Sequence, residues 1–526
     1  MTFAGRGSDE IAILAYNADA KAVALDRATL RTFLRGITLP ASDDAGAITE
    51  ALSRVQIYDE FLEGVKHAEH DPELLSALGE AISAGNPSNK RTDTTLPAAY
   101  TYLGQFIAHD LGRLSVVENR GTMNLRTPAL DLDSVFGQVD AQTHGLAGTS
   151  ATHGLLSLGN TSAAHADLRD HPRSPQGEAQ IADARNDHNL AVAQLAVVLT
   201  RFYWKMQQYH GGDDQAARRA TVRHLQHVVL FDYLRLVIDP DTYDDVIANG
   251  PACVTANPFL VSREFSMACF RVGHSMVRDR YRDWSENSAG LTDLLEHVYS
   301  NGDGKLEAVQ IRGATEHRLR QDWAVHWSSM INRPGIADTP VNFAHRAGEQ
   351  LAEALKALSA DSVDEVLVPG APVMAGNPPV FSLAVQTLLR GGQVGLPDAQ
   401  CFHAALRAKL KGDFPDILTG DQIADVHSPE LKAFLTDGAG QIFRTSTPLW
   451  FYCLRETAVF QEKCGSLFGP VTGRVIMETV YAAIAEDPEG ILNSPSSGPK
   501  DAPISELKNG NNKFGLVELI DYATKI

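Results

Sequence analysis

Apolar residues recur along this chain with the spacing of helices far more often than with the alternation of strands. The stretch from Leu190 to Tyr209 is rich in Ala, Leu, Val and Gln and contains neither Gly nor Pro. Three further stretches have the same character, namely Gln215–Val237, Phe259–Arg278 and Ala344–Leu358. Strand-like alternation is sparse, and the sequence shows no internal repeat. We therefore predict a mainly α fold.

Breaks in this pattern divide the chain into three parts. Residues 1–94 form a leader of short helical pieces that packs on the main domain, residues 95–492 form that domain, and residues 493–526 form a flexible segment and C-terminal tail. Within the main domain, residues 111–184 hold many Gly, Pro, Ser, Asp and His, which predicts mostly loop. So long a loop is unusual in a compact domain unless something pins it, for instance a metal ion.

Composition limits the expected partners and compartment. The 526 residues carry a net charge of −19, so neither nucleic acid nor an anionic membrane, which both need a basic surface, is an expected partner. No apolar run is long enough for a membrane span, and no secretory signal follows Met1. The five cysteines form no CxxC pair, which favours free buried thiols and a reducing, cytoplasmic location.

The segment Tyr102–Asp110 places polar residues at helical spacing within an apolar stretch. Gln105 and His109 lie four residues apart and would share one helix face, whereas Asp110 would point elsewhere. Buried polar groups need partners, so the pair indicates a polar pocket. Taken alone, the histidine also fits a hydrogen-bonded core residue.

Two polar segments follow. In Arg126–Ser134, oxygen-bearing side chains alternate with apolar ones, which suits either a calcium site or a solvated turn. Arg185 stands just before the long predicted helix, where a cation opposes the helix dipole, so it has another task or forms a surface salt bridge. Asp187 or Asn186 could cap that helix.

The segment Phe270–Met276 carries a second histidine on an apolar helix. Arg271 and His274 are three residues apart and share a face, and Gly273 would let a flat group approach closely. This arrangement suits an axial haem ligand, and it also suits a core histidine.

Together these segments resemble the animal-type haem peroxidases of the peroxidase–cyclooxygenase superfamily, and most of all its bacterial members. The similarity runs from about residue 95 to about residue 490. It is carried, in chain order, by Gly104–Asp110, Thr127–Asp133, Arg185–Asp187, Arg271–His274, Leu388–Gly391, Gly395–Pro397 and Pro448–Tyr452. The resemblance implies a mainly α haem peroxidase fold that binds haem b between the helices of His109 and His274.

The resemblance also implies roles for individual residues. His109 and Arg185 would cleave hydrogen peroxide, His109 by general acid–base chemistry and Arg185 by stabilising negative charge. Gln105 would help to hold water or halide beside them. His274 would bind the haem iron.

Further roles follow from the same resemblance. Arg271 and Arg390 would lie near the haem propionates. The calcium ligands would be Asp110, Thr127, Ala129 (through its carbonyl), Asp131 and Asp133, and the ion would be structural. Calcium would also pin the long loop region.

Three positions depart from the family pattern. Many relatives carry an aspartate and a glutamate that form ester bonds to haem, where this chain has Ala108 and His188. Neither residue can form such an ester, so we expect non-covalent haem. Thr387 stands where relatives have an asparagine that accepts a hydrogen bond from the proximal histidine and tunes the iron.

We therefore expect a haem peroxidase that oxidises a small organic donor or a halide with hydrogen peroxide. Fatty-acid oxygenases of the superfamily carry a radical-forming tyrosine where this chain has Arg271, which ranks peroxidase above oxygenase. Two alternatives stay open because of the three departures. One is an oxygenase or peroxygenase acting on a lipid or a natural-product intermediate, and the other is a non-catalytic haem- or calcium-binding protein.

Overall fold

The computed structural model describes residues 12–14, 23–25, 58–85, 92–117, 121–124, 126–139, 146–147, 158–161, 168–254, 259–295, 305–311, 314–332, 341–359, 368, 372–374, 380–410, 414–464, 467–493, 504, 507–509, 511 and 513–525. Most of the predicted leader and much of the predicted flexible segment lie outside these residues.

Helices build most of the described chain. In chain order they are α1 (Pro72–Ala84), α2 (Ala99–Leu111), α3 (Asp133–Phe136), α4 (Arg185–His188), α5 (Leu190–Tyr209), α6 (Asp214–Val228), α7 (Leu234–Val237), α8 (Pro240–Asn249), α9 (Leu291–Leu295), α10 (Leu383–Gln393), α11 (Ala399–Leu410), α12 (Gly420–Ala424), α13 (Pro429–Thr436), α14 (Leu449–Cys464), α15 (Pro470–Glu486) and α16 (Leu516–Thr524). Val229–Tyr233 and Phe265–Cys269 are π-helical. The 3₁₀ segments are Phe270–Met276, Gln321–Trp323, Trp327–Ser329, Glu353–Lys356 and Ala439–Arg444.

The described strands form short antiparallel pairs only. They are β1 (Ala12–Leu14) with β2 (Val23–Leu25), β3 (Asp93–Pro97) with β14 (Phe343–His345), β4 (Leu114–Val117) with β5 (Gly121–Asn124), β6 (Gln138–Val139) with β7 (Leu146–Ala147), β8 (Gly159–Asn160) with β9 (Arg169–Asp170), β10 (Arg280–Tyr281) with β11 (Ala289–Gly290), β12 (Leu306–Ile311) with β13 (Ala314–Leu319), and β15 (Leu358–Ser359) with β16 (Val380–Phe381). The fold is therefore mainly α, as the periodicity predicts.

Two of the four predicted helices, Leu190–Tyr209 and Gln215–Val237, are confirmed. Helix α5 has the predicted bounds, and its N-cap is Asn189, whose side chain accepts from the amides of Ala191 and Val192. The predicted caps Asn186 and Asp187 lie instead on α4, so that part of the prediction is wrong. The prediction Gln215–Val237 corresponds to α6, a π-helical turn and α7 in succession.

Two predicted helices need correction. Ala344–Leu358 is not a helix but contains the end of β14, a 3₁₀ turn and the start of β15. The backbone partners of this segment lie elsewhere in the chain, for example Arg346 N–H to Thr92 O at 2.9 Å, so tertiary pairing outweighs the helical spacing. In Phe259–Arg278 the named helical elements are the π-helical turn Phe265–Cys269 and the 3₁₀ segment Phe270–Met276 rather than a long α-helix. Just before these turns, the amide of Arg263 bonds to Asp59 O at 3.1 Å.

Helices α1 and α16, the first and last named helices of the described chain, pack on the same core. Helix α1 lies against α10 so closely that a Cβ at Gly79 would stand 2.6 Å from Val385 Cα, and only glycine permits this approach. Helix α16 packs on α5, where Phe202 contacts Phe514 and Tyr522. Residues predicted as leader and tail thus contribute to the packing around the centre of the fold.

Cysteine chemistry follows the prediction with one exception. Cys253, Cys269 and Cys453 are buried free thiols, whereas Cys401 is free but exposed, which corrects its predicted burial. The side chain of Cys464 lies outside the described residues. None of the helices in the described part combines the length and apolar character needed to cross a bilayer.

Candidate active site

A cavity of about 240 Å³ lies between α2 and the 3₁₀ segment Phe270–Met276. Its volume is far above the ~10–15 Å³ that one water molecule needs, so it suits a sizeable ligand. The predicted site residues that line it are Gln105, Ala108, His109, Arg185, His188, Arg271 and His274. We call the first five of these the His109 wall, and Arg271, Gly273 and His274 the His274 wall.

Helix α2 contributes Gln105, Ala108 and His109 to the His109 wall because its cavity-lining residues follow helical spacing, and α4 contributes Arg185 and His188. Thr101, Gly104, Gln105, Ala108 and His109 all line the cavity, whereas Asp110 is fully buried away from it. The structure thus brings Gln105 and His109 together and separates Asp110, as the sequence predicts. Gln105 Oε1 accepts a bond of 3.4 Å from Asn189 Nδ2.

His109 is a neutral imidazole in this environment. Its Nδ1 lies 3.1 Å from Asn186 Oδ1. Burial, reinforced by the positive charge of Arg185, lowers the pKa of His109 to about 3. A neutral ring retains a lone pair, so His109 is able to accept a proton at neutral pH.

Arg185 is fixed by three directional contacts. Its Nη1 donates to Gly112 O at 2.7 Å, its Nη2 to His109 O at 2.8 Å, and its Nε and Nη2 to the carboxylate of Asp183. The guanidinium is therefore anchored to the C-terminal end of α2, directly beside His109.

Asp183 lies, fully buried, between the guanidinium groups of Arg185 and Arg126. Burial alone would raise the pKa of Asp183, but the two neighbouring cations outweigh it and hold that pKa well below its usual range. Arg126 in turn lies 3.5 Å from Asp133, so one buried network joins Arg185 to the loop of residues 126–134.

The His274 wall is built from less regular backbone. Arg271 and His274 lie on the 3₁₀ segment that directly follows a π-helical turn. Arg271 Nε donates to Ser266 O at 3.0 Å. A Cβ added at Gly273 would meet nothing within 4 Å, so the wall beside His274 is open to the cavity.

The remaining two predicted residues of this side lie behind the wall. Thr387 and Arg390 are buried on α10 and do not line the cavity, whereas Leu383 on the same helix does. Arg390 Nη1 donates to Gln393 Oε1 at 2.6 Å. Thr387 Oγ1 is buried and has no hydrogen-bond partner among the described residues.

The predicted calcium residues come together in what we call the acidic loop, residues 126–134, with Asp110 beside it. Asp110 accepts from Leu132 N at 2.9 Å and from Ser134 Oγ at 2.6 Å. Thr127 Oγ1 donates to Asp131 at 2.9 Å. Ala129, the fifth predicted ligand, is buried in the same loop. Within the described chain, no group of three or more His, Cys, Asp or Glu side chains is spaced to hold a metal ion.

The acidic loop is nevertheless short of positive charge. Burial and the neighbouring carboxylates raise the pKa of Asp131 well above its usual range, and burial raises the pKa of Asp133 to about 7 despite Arg126. Asp133 Oδ1 is buried without a hydrogen-bond partner among the described residues. This oxygen-rich, under-neutralised chemistry suits a hard cation.

Sequence reasoning missed several residues of the site. Asn186 bonds His109, Asn189 bonds Gln105, and Asp183 with Arg126 fixes Arg185. Asn186 lies within the motif Arg185–Asp187, Asp183 lies two residues before it, and Arg126 directly precedes the motif Thr127–Asp133. Adjacency did not reveal their partners, which are brought close only by the tertiary fold.

Comparisons with known proteins agree with this architecture. Residues 81–324 match the sequence profile described as animal haem peroxidase. A search of curated protein sequences finds no match. Among solved structures, the fold is similar to peroxidase A from Dictyostelium discoideum, with 14% identity, a TM-score of 0.56, and coverage of 89% of this chain and 93% of that one.

Two plant proteins share the fold as well. The fatty acid alpha-dioxygenase of Oryza sativa has 11% identity and a TM-score of 0.51, and the match covers 94% of this chain and 91% of that one. The fatty acid alpha-dioxygenase of Arabidopsis thaliana has 12% identity and a TM-score of 0.50, with 86% and 72% covered. At these identities the likeness is one of fold.

Proposed function

We propose that this chain, which belongs to the animal haem peroxidase family, binds haem in its cavity and uses hydrogen peroxide to oxidise a small organic donor or a halide. The observation that carries the proposal is the placement of Gln105, His109, Arg185 and His274 around one cavity. These residues come from distant parts of the sequence, and their side chains supply a base, a cation and an iron ligand.

The residues present fit haem. His274 would bind the iron, and the open space beside Gly273 leaves room for a flat ring. Ala108 and His188 line the cavity and cannot form esters, so the haem is held without covalent bonds. Extraction with acidified acetone is expected to remove all haem, whereas haem retained on the denatured chain would contradict this.

Proton transfer is the task of His109. Bound haem supplies redox-active iron, and the chain supplies the proton chemistry around it. The neutral ring of His109 takes a proton from one peroxide oxygen and returns it to the oxygen that leaves. Arg185, held by Asp183, stabilises negative charge as the O–O bond breaks, and Gln105 holds a small ligand in place.

The test is rapid mixing of the haem-loaded protein with hydrogen peroxide while the haem spectrum is recorded. The wild type is expected to react, and His109→Ala is expected to react about 10²–10⁴-fold more slowly with haem still bound. An unchanged rate in His109→Ala would remove that residue from the mechanism. Absence of a Soret band after haem reconstitution would favour a non-catalytic protein.

Calcium is proposed for the acidic loop, where it would support α2 from behind and take no part in the chemistry. The support is the excess of buried carboxylate and the unpartnered Asp133 Oδ1. Calcium at 100 times its Kd is expected to stabilise the fold by about 2.7 kcal/mol over chelator-treated protein. A melting temperature that does not respond to calcium, with magnesium as control, would count against the site.

Oxygenation of an apolar substrate is the second candidate. The lining includes the leucines 291, 295, 355, 358 and 383, which would suit a lipid chain. Arg271 stands where the resemblance places the radical-forming tyrosine of fatty-acid oxygenases, which favours the peroxidase. Strong oxygen uptake with an unsaturated fatty acid and no peroxide would reverse this ranking.

A further inference from the structure

The amide of Asn186 has only one orientation that satisfies its neighbours. Asn186 is 1% exposed, and its Nδ2 lies 3.1 Å from the backbone carbonyl of Ser134. A carbonyl only accepts hydrogen bonds, so the amide nitrogen must face Ser134. The amide oxygen, Oδ1, therefore faces His109 Nδ1 at 3.1 Å.

This orientation decides where His109 carries its proton. An amide oxygen has no hydrogen to donate, so the Nδ1 that contacts it must be the N–H of the ring. A neutral imidazole has one N–H, and Nε2 is then left with the lone pair. We infer that Asn186 is a positioning residue that fixes the Nδ1–H tautomer of His109 and directs the Nε2 lone pair to the cavity.

A closed ring of hydrogen bonds holds Asn186 in place. Asp110, which follows His109 on α2, accepts from Ser134 N at 3.2 Å and from Ser134 Oγ at 2.6 Å. Ser134 O accepts from Asn186, and Asn186 accepts from His109. This hydrogen-bonded ring therefore begins at the imidazole of His109 on α2 and ends at Asp110, the next residue of the same helix.

The backbone of Asn186 is fixed independently. Its amide donates to Asp183 O at 3.0 Å, and its carbonyl lies 3.2 Å from His171 Nε2. Asn186 and Ser134, which are joined by one bond of this hydrogen-bonded ring, are both buried. Water therefore has no ready access to replace either residue as a hydrogen-bond partner.

The charged and titratable neighbours of His109 do not compete for its Nδ1 proton. Arg185 carries donors only, and these are directed to Asp183 and to backbone carbonyls. Asp183 is engaged by two guanidinium groups, and His188 contributes a positive charge only when it is protonated. Asn186 is therefore the group that selects the tautomer.

The tautomer matters because it decides whether His109 is able to act as a base, and this consequence rests on the proposed function. With the lone pair on Nε2, the peroxide proton transfers to Nε2, and the ring becomes an imidazolium whose Nδ1–H still bonds Asn186. The same proton then leaves Nε2 for the departing oxygen. The other tautomer would present an N–H to peroxide and could not begin this sequence.

The tautomer itself is measured by two-bond proton–nitrogen correlation on the full chain labelled with ¹⁵N-histidine, with His109 assigned by its loss in His109→Ala. The wild type is expected to show the Nδ1–H pattern. Asn186→Leu removes the acceptor and is expected to give a mixture of tautomers, whereas Asn186→Asp keeps an acceptor and is expected to keep the pattern. An Nε2–H pattern in the wild type, or an unchanged pattern in Asn186→Leu, would overturn the inference.

A control variant separates this effect from general loss of packing. Asn342 is a buried asparagine whose Nδ2 donates to Arg282 O and Ser329 O at 2.8 and 2.9 Å, and it does not line the cavity. Asn342→Leu should leave the His109 signals unchanged. If Asn186→Leu fails to fold, Ser134→Ala serves instead, because it keeps the carbonyl and the 3.2 Å amide bond to Asp110 but loses the shorter hydroxyl bond of 2.6 Å. Ser134→Ala should still broaden or shift the His109 signals, and no change there would contradict the role of this hydrogen-bonded ring.

Kinetics add a readout that distinguishes the two proposals. Asn186→Leu is expected to lower kcat/KM for peroxide about 10²-fold at unchanged haem content, and Asn186→Asp to recover most of that loss. If the wild type does not react with peroxide, the proposed function fails while the tautomer measurement still stands. If the wild type reacts and Asn186→Leu reacts equally fast, the positioning role of Asn186 fails by itself.

Discussion

The two walls of the cavity are held in different ways. The His109 wall is fixed by buried charge and amide groups, because Asp183 holds Arg185 and Asn186 holds His109. The His274 wall lies on 3₁₀ backbone that follows a π-helical turn, and this backbone packs against α14 and α15. Under the proposed function, the first wall would position protons and charge, and the second would leave space for a bound group.

The carboxyl groups behind the walls show the same contrast. Asp183, behind the His109 wall, lies between two cations that keep its pKa well below the usual range despite burial. Glu456, on α14 behind the His274 wall, instead accepts hydrogen bonds from the amides of Val471 and Thr472, and burial raises its pKa to about 7. The carboxylate of Asp183 is thus stabilised by neighbouring cations, whereas the carboxyl of Glu456 is held by backbone amides and favours its protonated form.

The largest expected effect is a difference in haem retention between a variant of the His274 wall and a variant of the His109 wall. His274→Ala removes the proposed iron ligand and is expected to abolish stoichiometric haem binding, whereas His109→Ala is expected to retain it. Haem content after gel filtration, from absorbance and iron analysis, is the measurement. Equal retention in both variants would remove the distinction between the walls.

The next effect tests the charge network of the His109 wall. Asp183→Asn leaves two buried guanidinium groups without their shared anion and is expected to cost about 3–5 kcal/mol of unfolding free energy. The exposed pair of Asp322 with Arg320 provides the control, and Asp322→Asn is expected to cost about 0–1 kcal/mol. Denaturant unfolding of both variants compares them, and similar costs would show that the Asp183 network is not special.

A pH effect follows for the His274 wall. The folded pKa of Glu456 is about 7, against an ordinary value of 4.5, so the folded protein holds this proton more tightly than the unfolded chain. The associated stability is present below about 4.5 and is lost as the pH rises through about 7, which amounts to at most about 3 kcal/mol.

Glu456→Gln is expected to flatten this dependence, which is measured by unfolding at several pH values. The buried carboxyl of Glu264 also has its pKa raised to about 7 by burial, so some slope is expected to remain. A slope equal to that of the wild type would show that Glu456 does not carry the effect.

The smallest effect concerns the buried hydroxyl behind the His274 wall. Thr387→Asn introduces the amide that the resemblance places at this position and gives it a chance to bond the ring of His274. We expect less than about a tenfold change in peroxide reactivity and a small shift of the haem spectrum. A complete loss of haem binding would show that the site cannot accept the larger side chain.

Local periodicity predicts the parts of this fold that follow local rules. Helix α5 is predicted with its bounds because its residues favour helix throughout and nothing interrupts them. Ala344–Leu358 has helical spacing as well, but its backbone pairs with β3 and neighbouring segments, and no local pattern carries that information. The same limit applies at the site, since motifs identify Gln105, His109 and His274 but not the partners that fix them.

Asn186 illustrates why those partners escape prediction. Its sequence position beside Arg185 makes it a candidate helix cap, and only the fold places its amide between His109 and Ser134. Arg126 escapes prediction for the same reason. It pairs with both Asp133 and Asp183, which lie 50 positions apart in the sequence (183 − 133).

The most direct test of the account is a crystal structure of the haem-loaded protein, with the iron located by its anomalous scattering. We predict one haem in the cavity, its iron bound by His274, with His109 on the opposite face and not bonded to the metal. Haem bound outside this cavity, or iron ligated by His109 instead of His274, would contradict the assignment of the two walls.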